Sequence, residues 1–152
     1  MTTRLGLDPG KATGWAIAQD GALRISGVLS WSDTASLFLK AVAAGEPALS
    51  FFGVQVDEIV MERFIITERT MRVARQMEPL YCIGVVVAVA AWFGVPVVFQ
   101  TAADAKKTAT DARLKEMGWY VTGTHARDAV RHLVTRLIRE RVLGPKELRG
   151  EG

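Results

Sequence analysis

The chain has 152 residues, 49% of them apolar, and a formal net charge of +3. That length suits one domain with a full core, and the apolar fraction excludes a disordered chain. A single cysteine, Cys82, excludes an internal disulfide and a cysteine-rich zinc site, and its apolar neighbours point to a buried, inert thiol.

Residues 3–8, 14–19 and 22–29 read as three strands joined by tight turns. The first run ends in Asp8 and breaks at Pro9-Gly10, so the chain turns directly after the carboxylate. The second ends at Asp20-Gly21, a hairpin-turn pair. Trp31-Ser32-Asp33 offers an N-cap for a helix from about 34 to 44, stopped by Gly45-Glu46-Pro47. A loop or irregular helix is expected over 46–56. Asp57 to Glu62 reads as a fourth strand. Alternation puts Val60 and Glu62 on one face and Ile59 and Met61 on the other.

The segment 64–77 is polar, and Arg69, Arg72 and Arg75 recur at three-residue spacing, a single stripe if helical. Residues 80–99 carry no charge. Gly94 and Pro96 divide them into a helix over 79–93 and a strand over 95–99. Fifteen helical residues reach only about 22 Å, short of the ~30 Å hydrocarbon core, so no membrane span is expected. A helix apolar on all sides is instead covered on several sides, by a sheet and by another subunit. Residues 101–117 read as a polar helical region at the surface. From about 124 to 142 the apolar period is helical, with Ala129, Val130, Leu133, Val134, Leu137 and Ile138 as its core stripe and Thr122 or Thr124 as cap. At ~100° per residue, His125, Asp128 and His132 fall on one edge of that stripe.

Charge is unevenly spread. Residues 1–62 hold four basic and seven acidic side chains, and residues 63–152 hold fifteen and nine. A basic half beside an acidic cluster suits a nuclease, with cations for phosphates and carboxylates for metal. Asp8, Glu62 and the pair His125/Asp128 all stand at element ends. Carboxylates with one imidazole suit Mg²⁺ or Mn²⁺, whereas zinc would want more Cys or His. Two such ions can activate a water and stabilise the leaving oxygen of a phosphodiester, with one carboxylate, here Asp8, as the bridge.

The stretch Leu5-Gly6-Leu7-Asp8-Pro9-Gly10-Lys11-Ala12-Thr13-Gly14-Trp15-Ala16 resembles the opening of the RuvC-type Holliday junction resolvases, of the ribonuclease H-like superfamily. Val60-Met61-Glu62 is similar to that family's second acidic motif, and His125-Ala126-Arg127-Asp128 to its last, in which two ligands three apart open the final helix. Many members have Asp where this chain has His125. The resemblance implies an α/β fold with a five-stranded mixed sheet, an antiparallel meander plus parallel strands, flanked by helices. It implies Mg²⁺-dependent cutting of branched DNA by Asp8, Glu62, His125 and Asp128, in a homodimer with two active sites. Lys106, Lys107 and Lys115 lie where members carry lysines that contact DNA or aid the chemistry. Phe64 is similar in position to an aromatic near the junction centre. Lys11 and the Arg69/Arg72/Arg75 stripe complete the expected DNA contacts. The dimer is expected through helix 79–93.

The expected activity is thus a structure-selective endonuclease on four-way junctions, with flaps and forks as further substrates. A nuclease on structured RNA and a non-catalytic branched-DNA-binding module are the rivals. Sugar kinases and actin-like ATPases share the Asp-x-Gly opening but need two such domains, so no nucleotide cofactor is expected. No signal segment is evident, and a cytoplasmic protein is expected. The short form suits a phage-encoded member, in a host cytoplasm.

Overall fold

A computed structural model describes residues 1–65, 67–68 and 77–144 of the chain. Arg69, Arg72 and Arg75, and the tail beyond 144, lie outside the described residues. Strands β1 (Thr3–Asp8), β2 (Ala12–Gln19) and β3 (Ala22–Ser30) form the meander. Asp20 and Gly21 both have positive φ, 49° and 78°, which gives the turn between β2 and β3 a twist that matches the strands.

Helix α1 (Trp31–Ala43) begins three residues earlier than expected. Its N-cap is Ser30, not a residue of Trp31-Ser32-Asp33, and the Asp33 N–H donates to Ser30 Oγ at 3.0 Å. The expected loop over 46–56 contains a small hairpin, β4 (Ser50–Phe51) and β5 (Val54–Gln55), turning at Phe52-Gly53. Phe-Gly is not a usual turn pair. The Phe52 ring rests against Trp15, with centroids 4.9 Å apart, and against Phe51 at the same distance. Ring packing therefore holds a turn that local propensity does not announce.

Strand β6 (Glu58–Glu62) runs parallel to β1, and β7 (Val97–Gln100) parallel to β6. The five strands lie in the order β3-β2-β1-β6-β7, a mixed sheet. Between β6 and β7 comes α2 (Glu78–Phe93), ended by Gly94 in the left-handed conformation. The polar region after β7 is two short helices, α3 (Ala102–Thr108) and α4 (Asp111–Glu116), rather than one. Each has its own threonine cap, Thr101 and Thr110. Helix α5 (Thr124–Arg139) starts after Gly123, which makes no side-chain cap bond, so neither Thr122 nor Thr124 caps it.

Strand alternation sorts the core into two layers. Leu5, Leu7, Trp15, Ile17, Ile59 and Met61 face α1 and α2, where Phe38, Cys82, Val86 and Val89 meet them. Ala16, Ala18 and Val60 face α5, where Ala129, Val130, Leu133 and Leu137 meet them. Cys82 is fully buried, with Sγ 3.8 Å from Thr13 Oγ1, and burial pushes its thiol up, consistent with an inert group. Among the described residues no helix is long and apolar enough to cross a membrane.

The α5 face of the sheet is lined by small residues, and two glycines set how close the helix comes. A Cβ at Gly6 would lie 2.6 Å from the Ala129 carbonyl oxygen and 2.8 Å from Leu133 Cγ. At Gly14 it would lie 1.9 Å from the His125 carbonyl oxygen. At each glycine the nearest contact is with helix backbone, which cannot swing aside as a side chain can. At its other end α5 is tied down by ions. Arg136 donates to both oxygens of Glu58, at 3.1 and 2.6 Å, and Arg4 donates to Glu58 at 2.9 Å. Burial opposes the Glu58 charge, but the two guanidinium groups outweigh it and hold its pKa below the usual value.

This packing predicts the effect of one methyl group. Gly14→Ala should lower unfolding stability by about 1–3 kcal/mol, the usual range for overpacking, as read from urea denaturation. An unchanged midpoint would show that α5 does not press on β2 at this point.

Candidate active site

Three of the parallel-strand ends carry polar side chains on the α5 face. Asp8 ends β1, Glu62 ends β6 and Gln100 ends β7. Glu62 is the register partner of Gln100, and Met61 of β6 pairs alongside Leu7 of β1, so the three ends stand side by side. Helix α5 crosses above them. His125, in its first turn, places Nδ1 3.1 Å from Asp8 Oδ2. His132, two turns on, places Nε2 3.4 Å from Glu62 Oε2 and Nδ1 3.1 Å from Gln100 Oε1. Asp128 lies between them in the helix.

Each acid has a partner of its own. Asp8 is 9% exposed, and burial pushes its carboxyl up to about 6. The His125 bond opposes that shift, whereas the nearby Glu62 and Asp128 charges and a hydrogen bond to Glu62 reinforce it. Burial also raises Glu62, but its bond to His132, the charge of that ring, the bond from Asp8 and the Lys106 ammonium outweigh it and hold Glu62 low. Asp8 therefore keeps its proton longer and donates it to the Glu62 carboxylate. Asp128 accepts from Arg131, which also donates to Asp111 and, at 3.2 Å, to the Ala109 carbonyl. Lys106 Nζ stands 3.8 Å from the other Asp128 oxygen.

The four expected ligands are thus gathered in one place. Among the described residues no three acid, imidazole or thiol groups surround a common point as metal ligands. The donor chemistry nevertheless fits a divalent cation: carboxylate oxygens and one exposed imidazole, with Asp8 held protonated by burial and by the charges of its acidic neighbours. A bound cation would take over the charge balance that this proton, Arg131 and Lys106 now supply.

The other expected contact residues fall out unevenly. Of the three lysines, Lys106 stands at an acid of the site, Asp128, whereas Lys115 lies over the Tyr120 ring, 4.9 Å from its centroid. Lys107 is exposed. Lys11 is exposed on the β1–β2 turn and, with His125, Pro9, Gly10, Val28 and Ser30, lines an open cleft of about 840 Å³ beside the acids. Phe64, two residues past Glu62, is half-buried.

His132, on the edge of the stripe with His125 and Asp128, is fully buried, with its two ring nitrogens bonded to Glu62 and Gln100. Gln100 and Arg131 had no expected role at all. A signal for Gln100 was present: it closes the third parallel strand on the face that Asp8 and Glu62 share, once β7 is known to run one residue further than 99.

The site also predicts a stability change. Asp8 has a folded pKa of about 6 against an ordinary 3.8. Its contribution is therefore complete below about 4 and is lost as pH rises through 6. Without metal at pH 8, Asp8→Asn should stabilise the protein, on the order of 1–3 kcal/mol, and the gain should vanish near pH 4. Thermal melts in EDTA across that range check it; a destabilised Asn variant at pH 8 would contradict the assignment.

No family model matches the chain, and no curated protein matches it in sequence. Solved structures do. Thermus thermophilus RuvC in complex with a Holliday junction substrate superposes with a TM-score of 0.67 at 15% identity, over 93% of this chain and 96% of that one. Thermus thermophilus RuvC in a second structure gives 0.62 at 16% identity, over 92% and 96%. At such identities the likeness speaks for the fold, and it covers nearly the whole length of both chains. The chain has the RuvC-like, ribonuclease H-like fold, a five-stranded mixed sheet flanked by helices.

Proposed function

We propose that the protein is a metal-dependent endonuclease that cuts phosphodiester bonds in branched DNA, resolving Holliday junctions. What carries this reading is the juxtaposition of Asp8 and Glu62 on neighbouring parallel strand ends beneath His125 and Asp128. The fold it sits in is that of a protein solved on a Holliday junction substrate.

In this reading Asp8, Glu62, His125 and Asp128 hold one or two Mg²⁺ or Mn²⁺ ions. When bound, the ions supply activation of a water and stabilisation of the leaving oxygen. The rest falls to the chain itself. Asp8 would have to be deprotonated to serve as a ligand, and Asp128, whose oxygens now face Arg131 and Lys106, would have to turn from them to hold an ion. Lys106 stands where it can meet a non-bridging phosphate oxygen. Lys11, on the cleft wall next to His125, holds the strand that leads to the site. Lys107, Lys115 and Phe64 are further candidate DNA contacts, as are Arg69, Arg72 and Arg75, which lie outside the described residues. The second half of the chain, with its excess of basic residues, supplies sequence-independent attraction to phosphates.

Asp8→Asn should abolish Mg²⁺-dependent cleavage of a four-way junction, more severely than the roughly 10–100-fold typical of groups behind a ligand. Junction binding in EDTA should persist, because the basic surface is intact. Gel assays on matched four-way, flap and linear DNAs and a structured RNA decide it. Cleavage by the Asn variant at wild-type rate would overturn the site. Binding without any Mg²⁺-dependent cleavage by the wild type would leave a non-catalytic DNA-binding module, and cutting confined to RNA would move the substrate.

We further propose a homodimer through α2. Val86, Val89 and Ala90 of that helix are buried in the chain's own core, so they do not serve an interface. Ile83 and Val85 also pack partly against that core. Tyr81, Val87 and Trp92 are 53%, 38% and 74% exposed, and Gly84, Ala88 and Ala91 lie exposed between them. A contiguous apolar face of this kind is uncommon on monomers. A two-fold axis would cover it with its own copy and set two active sites for paired cuts. Val87→Glu should yield monomers that nick one strand without the paired second cut. A wild-type chain sedimenting as a monomer at micromolar concentration while still making paired cuts would refute the dimer.

A further inference from the structure

We propose that His132, anchored by Gln100, is a positioning residue for Glu62: it fixes the direction in which that carboxylate points at the candidate metal centre. The inference rests on the nuclease reading above. A glutamate side chain has three rotatable bonds and would otherwise sample several directions at the end of β6. His132 removes that freedom. Its ring is 1% exposed, wedged between α5 and the sheet, with both nitrogens engaged. Nε2 faces Glu62 Oε2 at 3.4 Å and Nδ1 faces Gln100 Oε1 at 3.1 Å. Gln100 is itself 3% exposed and stands next to Glu62 in register on the neighbouring strand. The three side chains link two strand ends and one helix.

Packing alone does not account for this set. The layer beside it is built of alanine, valine and leucine, and an apolar side chain could fill the same space. Instead the chain buries an imidazole and an amide, and the Gln100 Nε2 has no hydrogen-bond partner. An unpartnered buried donor is destabilising. It is tolerated here because the opposite end of the amide orients His132. Helix α5 then carries two candidate ligands, His125 and Asp128, and also the support of a third, Glu62, so its docking sets all of them together. Ligands are commonly oriented by such hydrogen-bonded groups behind them.

The test uses the full chain with Mn²⁺ as the probe. His132→Gln extends an amide N–H towards Glu62, in place of Nε2. His132→Asn reaches only the Gln100 side. Gln100→Leu leaves the ring without its anchor. Mn²⁺ affinity is read from the free-ion electron paramagnetic resonance signal, kcat from junction cleavage, and junction Kd from binding in EDTA. His132→Asn should lose roughly 10–100-fold in both Mn²⁺ affinity and kcat, with junction Kd unchanged. His132→Gln should recover most of that loss, and Gln100→Leu should fall between. Gln100→Leu also decides the matter should the Asn variant not fold. Wild-type Mn²⁺ affinity and kcat in His132→Asn, or in Gln100→Leu, would overturn the proposal, as would equal losses in the Asn and Gln variants, which mark a packing role. A wild-type chain that binds no Mn²⁺ overturns the nuclease reading itself, a failure visible before any variant is compared.

Discussion

At Gly14 the backbone of the last helix lies against the second strand with no room for a single methyl group. Gly6, one strand over, meets the same helix one turn further on. These two absences of a side chain let α5 sink onto the sheet, and the remaining features of the site depend on that depth. His125 reaches Asp8 and His132 reaches Glu62 because the helix is seated within hydrogen-bonding range of two strand ends. The far end is fastened by Arg4, Arg136, Glu58 and Glu140. The Glu58 pair is largely buried, and such pairs are better at fixing one arrangement than at adding net stability.

The site itself is electrostatically unfavourable in the absence of a cation. Burial, reinforced by the neighbouring charges of Glu62 and Asp128, makes Asp8 hold a proton towards neutral pH. Lys106 and Arg131 offset part of the repulsion. A chain selected only for stability would replace at least one of these acids. Retaining all of them under a well-packed helix is the pattern of a site that gives up stability for chemistry. The same arrangement leaves a role for a cation, which could take the place of the Asp8 proton and of the Lys106 ammonium beside Asp128.

Helix α2 presents a different kind of unfinished business. Its inward face is part of the main core, with Val86 and Ala90 fully buried. Its outward face carries Tyr81, Val87 and Trp92 to solvent, and Tyr81 is steadied by the Trp31 ring at 5.8 Å. The helix starts with Glu78-Pro79 close to the open cleft that Lys11 and His125 line.

Much of this was legible in the linear chain. Period-two alternation put Glu62 opposite Ile59 and Met61, the Asp-Pro-Gly break marked the end of the first strand, and the apolar period of 129–137 gave the core face of α5. These are local signals, set by residue-to-residue geometry within one element. The turn at Phe52-Gly53, the break between α3 and α4 and the Ser30 cap were missed because ring packing and competing caps decided them. The His132–Glu62–Gln100 set was missed for a deeper reason. Its members are 70 and 32 residues apart, and nothing in the spacing of a helix says which strand end it will cross. By itself the sequence determined which residues could do chemistry and which face of each element they occupy. Only the tertiary structure decided which of them meet, because that depends on strand order, on register and on how closely two glycines allow the last helix to approach the sheet.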